Sequence, residues 1–147
     1  MTDPRSEAGI VEAWLLATLL ADTAAGGVAA LTQSRIFGPM APQNAEWPYV
    51  VFSFLTGADL MTHNGVRIWT ACTYLIEAID QRREYDRVDV IAARMDVLLH
   101  RAMLISVDGG EIQECVRAEA SRRPFVVGAS RFVHAGGVYS IKARLTA

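Results

Sequence analysis

The sequence predicts an α+β fold, a mainly antiparallel sheet with an N-terminal helix and one long amphipathic helix packed on it. Three observations carry this expectation. Apolar residues recur at helical spacing near the N-terminus and again over "REYDRVDVIAARMDVLLHRAM", residues 83–103. Two apolar, β-rich runs joined by a polar link fill "EWPYVVFSFLTGADLMTHNGVRIWTACTYLIEAID", residues 46–80. Alternating segments near the end, "EIQECVRAEA" and "GVYSIKARL", read as two more strands.

Asp3-Pro4 opens the first helix on the chain, with Asp as cap and Pro at the first helical position. Ile10, Trp14, Ala17 and Leu20 or Ala21 then mark one apolar face. Asp22 or Thr23 opens a short second helical turn, with Gly26-Gly27 between the two. "GPMAPQNAEWP", 38–48, is an extended loop, because its three prolines remove donors and bias the preceding residues away from helix. Tyr49 to Leu55 reads as a strand buried on both faces, and Val66 to Ile79 as a longer one. The link from Thr56 to Gly65 is too long for a tight turn and projects.

The second long helix takes Asp86 as cap with Asp89 three residues on. Its buried stripe is Val88, Ile91, Met95, Leu98, Leu99 and Ala102. "SVDGGE" turns the chain into the next strand. There Ile112, Glu114, Val116 and Ala118 face one way, and Glu111, Gln113, Cys115, Arg117 and Glu119 the other. "SRRPFVVGASRFVHAGG" is read as a loop or irregular edge. In the last strand Tyr139, Ile141, Ala143 and Leu145 point inward.

At 147 residues, 52% hydrophobic and 20% charged, the chain is globular and long enough for one domain with a real core. No apolar run reaches the roughly 18 residues of a membrane span. The acidic start "MTDPRSEAG" lacks the basic region of a signal peptide, so synthesis in the cytoplasm is expected. Cys72 and Cys115 lie in strand-like runs and are expected to be buried thiols. Charge is unevenly spread. Residues 1–80 carry three arginines against eight acids, a net −5, whereas residues 117–147 carry six basic residues against Glu119, a net +5. That asymmetry suits a surface meeting a copy of itself or a charged neighbour. A patch for nucleic acid is the weaker alternative, since it lacks interleaved aromatics.

No nucleophile-elbow, P-loop, dinucleotide or zinc-helix motif is present, so neither catalytic residues nor a cofactor nor a metal is expected. Asp96 and His100, four apart on one helix face, form a surface or capping pair rather than a catalytic dyad. Glu77, Asp80, Asp86 and Asp89 match no calcium loop and read as a solvated turn and a helix cap. Trp14, Trp47 and Trp69 are core or interface residues.

The order of parts resembles the tail terminator, or tail completion, proteins of long-tailed bacteriophages and related prophage or gene transfer agent particles. "MAPQNAEWPYVV" is similar to that family's loop with proline and glutamine followed by a PYVV-like strand. "VDVIAARMDVLLHRAM" is similar to its isoleucine–alanine helix ending in leucines, and "HAGGVYSIKARL" to its closing strand. The likeness spans residues 14–146 through short, degenerate motifs whose order carries the weight. It implies one tail-terminator-like domain over 1–147, with a projecting hairpin link near 56–65. It further implies a virion protein at the head–tail junction. There a homohexameric ring would close on the last ring of tail tube protein and face the head-tail connector or stopper.

DNA would pass through the lumen of that ring without specific binding, and no membrane is involved. A bore passing DNA should avoid basic side chains, because each neutralised phosphate adds affinity. The basic C-terminal segment then belongs at interfaces. The ring contacts implied are Asp59, Met61, His63 and Arg67 on the hairpin, with Arg122, Arg123, Phe125, Arg131 and Phe132 beyond it. The alternatives are another head–tail joining protein, a stopper or minor tail component, or a small α+β ligand-binding domain.

Overall fold

A computed structural model describes residues 6–146. Two 14-residue helices, α1 (Glu7–Leu20) and α3 (Asp86–Leu99), and a short α2 (Val28–Thr32) accompany six strands. These are β1 (Ile36–Phe37), β2 (Tyr49–Met61), β3 (Arg67–Asp80), β4 (Met103–Val107), β5 (Gly110–Val127) and β6 (Ser130–Leu145). They form one sheet in the order β1-β2-β3-β6-β5-β4, antiparallel throughout except for β1 beside β2. The mainly antiparallel α+β arrangement is thus observed. The second long helix does not stand apart in length, since α1 equals it.

Both long helices lie over one face of the sheet, and two tyrosines fix them there. Tyr74 of β3 and Tyr139 of β6 are register partners, both buried. The Tyr74 hydroxyl donates to the Ala8 carbonyl of α1 at 3.2 Å, and the Tyr139 hydroxyl to Asp96 Oδ1 of α3 at 3.1 Å. Burying a phenol requires such a partner for its O–H. Around this pair pack Ile10, Val11, Leu15 and Leu19 of α1, and Val88, Ile91, Met95 and Leu99 of α3. The expected α1 stripe holds at Ile10 and Trp14, both buried, and then shifts to Leu15 and Leu19, since Ala17, Leu20 and Ala21 are exposed.

Helix ends also differ from expectation. Asp3-Pro4 lies outside the described residues, and the cap of α1 is Ser6, whose hydroxyl accepts from the Gly9 N–H at 3.0 Å. Asp86 is the first residue of α3, which has no side-chain cap, and Asp89 is turned to an arginine instead. Asp22 does serve α2, from a distance: its carboxylate accepts from the Val28 N–H at 2.8 Å and holds Arg94 of α3 through two bonds of 2.8 Å.

The largest departure concerns the hairpins. The residues read as a projecting link, 56–65, are mostly strand, and only 62–66 turn. Thr62 closes that turn, its N–H donating to the Val66 carbonyl at 2.8 Å, while Gly65 takes φ 78°. "SRRPFVVGASRFVHAGG", read as irregular, is a second long hairpin, β5–β6, closed by Gly128–Ala129 with Gly128 at φ 60°. Glycine first in a two-residue turn matches the twist of the flanking strands. Bulges between Ile112 and Glu114 and between Arg117 and Glu119 also break the alternation expected in β5. Ile112 and Cys115 consequently share the helix-covered face.

Candidate interaction surfaces

The two hairpins point to opposite ends of the sheet. Thr70, near the β2–β3 turn, pairs with Ala143 at the end of β6, whereas Asp80 pairs with Val133 beside the β5–β6 turn. The nine implied contact residues are accordingly split into two groups that do not meet. Asp59, Met61, His63 and Arg67 lie at one end; Arg122, Arg123, Phe125, Arg131 and Phe132 lie toward the other.

At the first end, Asp59 Oδ1 accepts from the Thr70 hydroxyl at 2.7 Å. Arg67 bridges Glu7 of α1 at 3.0 Å and Asp59 at 3.8 Å, which braces the arm against the helix. Phe54, Leu55, Leu60, Met61 and Val66 stay exposed around these charges, and His63 sits on the turn. The arm thus carries several exposed large apolar side chains beside its charges.

At the second end, neighbouring arginines serve opposite faces, as strand geometry requires. Arg122 reaches Asp89 of α3 at 3.2 and 3.3 Å and lies 3.9 Å over the Tyr85 ring. Arg123 turns to the helix-free face. There Trp47, Tyr49, Ile79, Phe125, Val127, Phe132 and His134 line an open cleft of about 220 Å³. Trp47 stacks on Tyr49 at 4.7 Å and packs against Phe132 at 5.1 Å. Arg131 is exposed and makes no ion pair among the described residues.

Below that cleft lies a group the sequence reading missed. Glu77, 4% exposed, is bonded by Ser121 Oγ at 2.7 Å, Arg123 Nη2 at 3.0 Å and His134 Nδ1 at 3.3 Å. Burial alone would raise its carboxyl. The bonds from His134, Ser121 and Arg123, with the Arg123 charge, outweigh that and hold it at about 2. Ser, His and Glu side by side invite comparison with a hydrolase triad, but the hydroxyl donates to the carboxylate and not to the imidazole. The order of roles is wrong for activating a nucleophile. Asp80 is buried too, with Arg87 Nε 3.4 Å from its Oδ2 but no hydrogen bond to that oxygen. Neither acid is the solvated turn residue expected. An acid within the apolar run "YLIEAID" was the available signal, since a carboxylate there must find donors.

The charge asymmetry along the chain is largely cancelled within it. Arg117 meets Asp96 at 3.5 Å, Arg122 meets Asp89, Arg123 meets Glu77, Lys142 meets Glu114 at 2.8 Å and Arg144 meets Glu111 at 2.7 Å. The net +5 of the tail is therefore not a free basic surface. Nor do Asp96 and His100 pair with each other: both turn to Arg117, His100 Nδ1 accepting its backbone N–H at 3.1 Å. Among the described residues no group of three or more His, Cys, Asp or Glu is placed to hold a metal ion. No helix of the described residues is long and apolar enough to cross a membrane.

No protein-family model matches the sequence, and no curated protein matches it. The fold has a counterpart among solved structures, a chain described as belonging to the virion of a native gene transfer agent (GTA) particle. The two superpose with a TM-score of 0.72 over 95% of this chain and 98% of that one, at 18% identity. The likeness is one of fold, and it takes in nearly the whole of both chains.

Proposed function

We propose that this chain is a structural subunit of a phage-type or gene-transfer-agent-type particle, and that it forms the ring ending tail-tube polymerisation. The observation that carries the proposal is the near full-length likeness in fold to a chain of a gene transfer agent virion. In this role the chain's partners are its own copies, six to a ring, with tail tube protein on one side and the head-tail connector or stopper on the other. Two apolar hairpins at opposite ends of one sheet support a subunit held from both sides. The group around Leu60 and Met61 would meet one neighbour, and that around Phe125 and Arg131 another. The protein is located in the virion and has no catalytic role.

The same reading keeps the bore acidic or neutral. Arg122 and Arg123 are already neutralised within the chain. A ring with Arg122, Arg123 and Arg131 all facing the lumen would contradict it. Removing the gene from a producing strain tests the function directly. Unjoined tail tubes of uncontrolled length are expected, restored to normal by the gene in trans. Particles of normal length, still joined to their heads, would overturn the proposal.

A further inference from the structure

The sheet is open, and its two free edges stand at the same level. β1 covers β2 only at Val50 and Val51, so the outer side of β2 from Phe54 to Met61 has no strand partner among the described residues. At the opposite edge β4 is likewise unpaired on its outer side. One register row runs unbroken between these edges, Asp59–Thr70–Ala143–Ile112–Ile105. The adjacent row, Ala58–Ala71–Lys142–Glu114–Met103, does the same. Neither edge carries the usual defences of lysine or proline. β4 has no charged residue, its Leu104 is 65% exposed, and that leucine is held at φ 53°, a strained backbone for a branched side chain.

From this we infer that β4 of one copy pairs with the free edge of β2 in the next, joining the sheets of neighbouring subunits. The inference rests on the ring reading and supplies its subunit contact. Directions agree. β2, β6 and β4 run the same way, because each is separated from the next by one antiparallel strand. Rotation about an axis along the strands therefore sets β4 parallel to the neighbour's β2, the same sense in which β1 already pairs with β2. Edges at equal level let such a contact repeat around a closed circle, a heterologous interface.

Charge also favours this pairing over a twofold dimer of like edges. Arg101, exposed at the entry to β4, has no ion pair among the described residues, and the one charge on the free edge of β2 is Asp59, held within its own chain by Thr70 and, at 3.8 Å, by Arg67. Unlike edges put one basic and one acidic residue on the same seam, with Arg101 two residues before the Met103–Ala58 row and Asp59 one residue after it, whereas like edges put two arginines or two aspartates there. Five residues of parallel pairing bury well under the roughly 1,200 Å² of a stable interface. The contact is therefore transient for free subunits and is held when a ring closes or a tube end templates it.

Disulfide trapping captures a transient pair. Met103→Cys and Ala58→Cys stand at exposed positions at the two ends of one register row, on the helix-free side of the two edges, and the native Cys72 and Cys115 are buried. Paired strands lie about 4.8 Å apart, within the Cα separation a disulfide spans. The two full-length variants, mixed and oxidised, are expected to form a disulfide-linked dimer at least about tenfold faster than either alone. Dimer formation no faster in the mixture than with either variant alone, or than with Ala93→Cys on α3, would overturn the inference. Imaging of assembled particles separates the two claims. A ring without the trapped pair removes this contact and leaves the ring. A trapped pair without a ring removes the terminator role and leaves the edge contact.

Discussion

Glu77 and Ser121 bond to each other at 2.7 Å across a strand that places no side chain between them. The intervening residue is Gly136, register partner of both. A Cβ there would run into the carbonyl oxygen of Ile76 on β3. The missing side chain thus lets β3 and β6 approach and opens the path between carboxylate and hydroxyl. Gly136→Ala is expected to destabilise the fold by at least about 2 kcal/mol, because the obstructing atom is backbone and cannot rotate away. Chemical denaturation checks this, and stability within about 0.5 kcal/mol of the parent would refute it.

The Glu77 network also shapes the acid limb of stability. Its carboxyl is depressed from 4.5 to about 2 in the folded chain. The stabilisation is therefore fully present above pH 4.5 and lost as pH falls toward 2, where the folded state must also take up the proton. The gain is on the order of 3 kcal/mol for a group this buried. Glu77→Gln should weaken the protein at neutral pH and flatten its stability between pH 4.5 and 2. Unfolding midpoints across that range decide it. An acid limb identical in parent and variant would assign the pH dependence elsewhere.

Much of the fold was legible because single-residue chemistry and periodicity agreed. Val88, Ile91, Met95 and Leu99 repeat at helical spacing and are all buried. The β5–β6 hairpin was not, and three residues explain why. Pro124 and the pair Arg122-Arg123 read as loop, yet β4 covers β5 only as far as Glu114. The far half of β5 is an edge where a missing N–H and long cations are tolerated. Gly136 falls in the segment read as a loop or irregular edge, whereas it is a crossing point in mid-strand. The run "VVGAS", two strand-formers before Gly-X, was the signal that could have placed the turn. The buried Glu77 cluster escaped for a different reason. Its partners are 44, 46 and 57 residues away, and register cannot be read from local pattern.

Asp22 ties three elements together, accepting from Val28 of α2 and Arg94 of α3 at the end of α1. The bond from Arg94 holds its carboxyl below the ordinary aspartate value. Asp22→Ala strands the Val28 N–H and releases Arg94, at a cost of about 1–3 kcal/mol. For a chain of this size a fall in Tm of about 5 °C is expected. An unchanged Tm would mean that solvent replaces these bonds without loss.

Both thiols should be inert in the native protein. Burial first, then neighbouring acids, pushes Cys72 up to about 11 and Cys115 up to about 12. Each stays protonated at pH 8, where a thiolate is needed for attack. A disulfide reagent should titrate no thiol in the folded chain and two after denaturation. Fast labelling of either one would show that its strand opens. Because both values are raised, their contribution to stability is complete below the unfolded value of 9 and fades above it.

Surface changes at the second hairpin should separate folding from assembly. Val126 is exposed beside the turn. Val126→Asp is expected to leave stability within about 0.5 kcal/mol of the parent, as surface substitutions generally do. The variant is expected to fail to complement a strain lacking the gene. Full complementation would remove that hairpin from the contact surface.

The most direct measurement is cryo-electron microscopy of the particle, with density sought at the end of the tail tube nearest the head. A sixfold ring of this chain is expected there, with the β2–β3 and β5–β6 hairpins reaching toward opposite neighbours. Density for the chain elsewhere in the particle, or none at all beside a compact monomer in solution, would contradict the assignment.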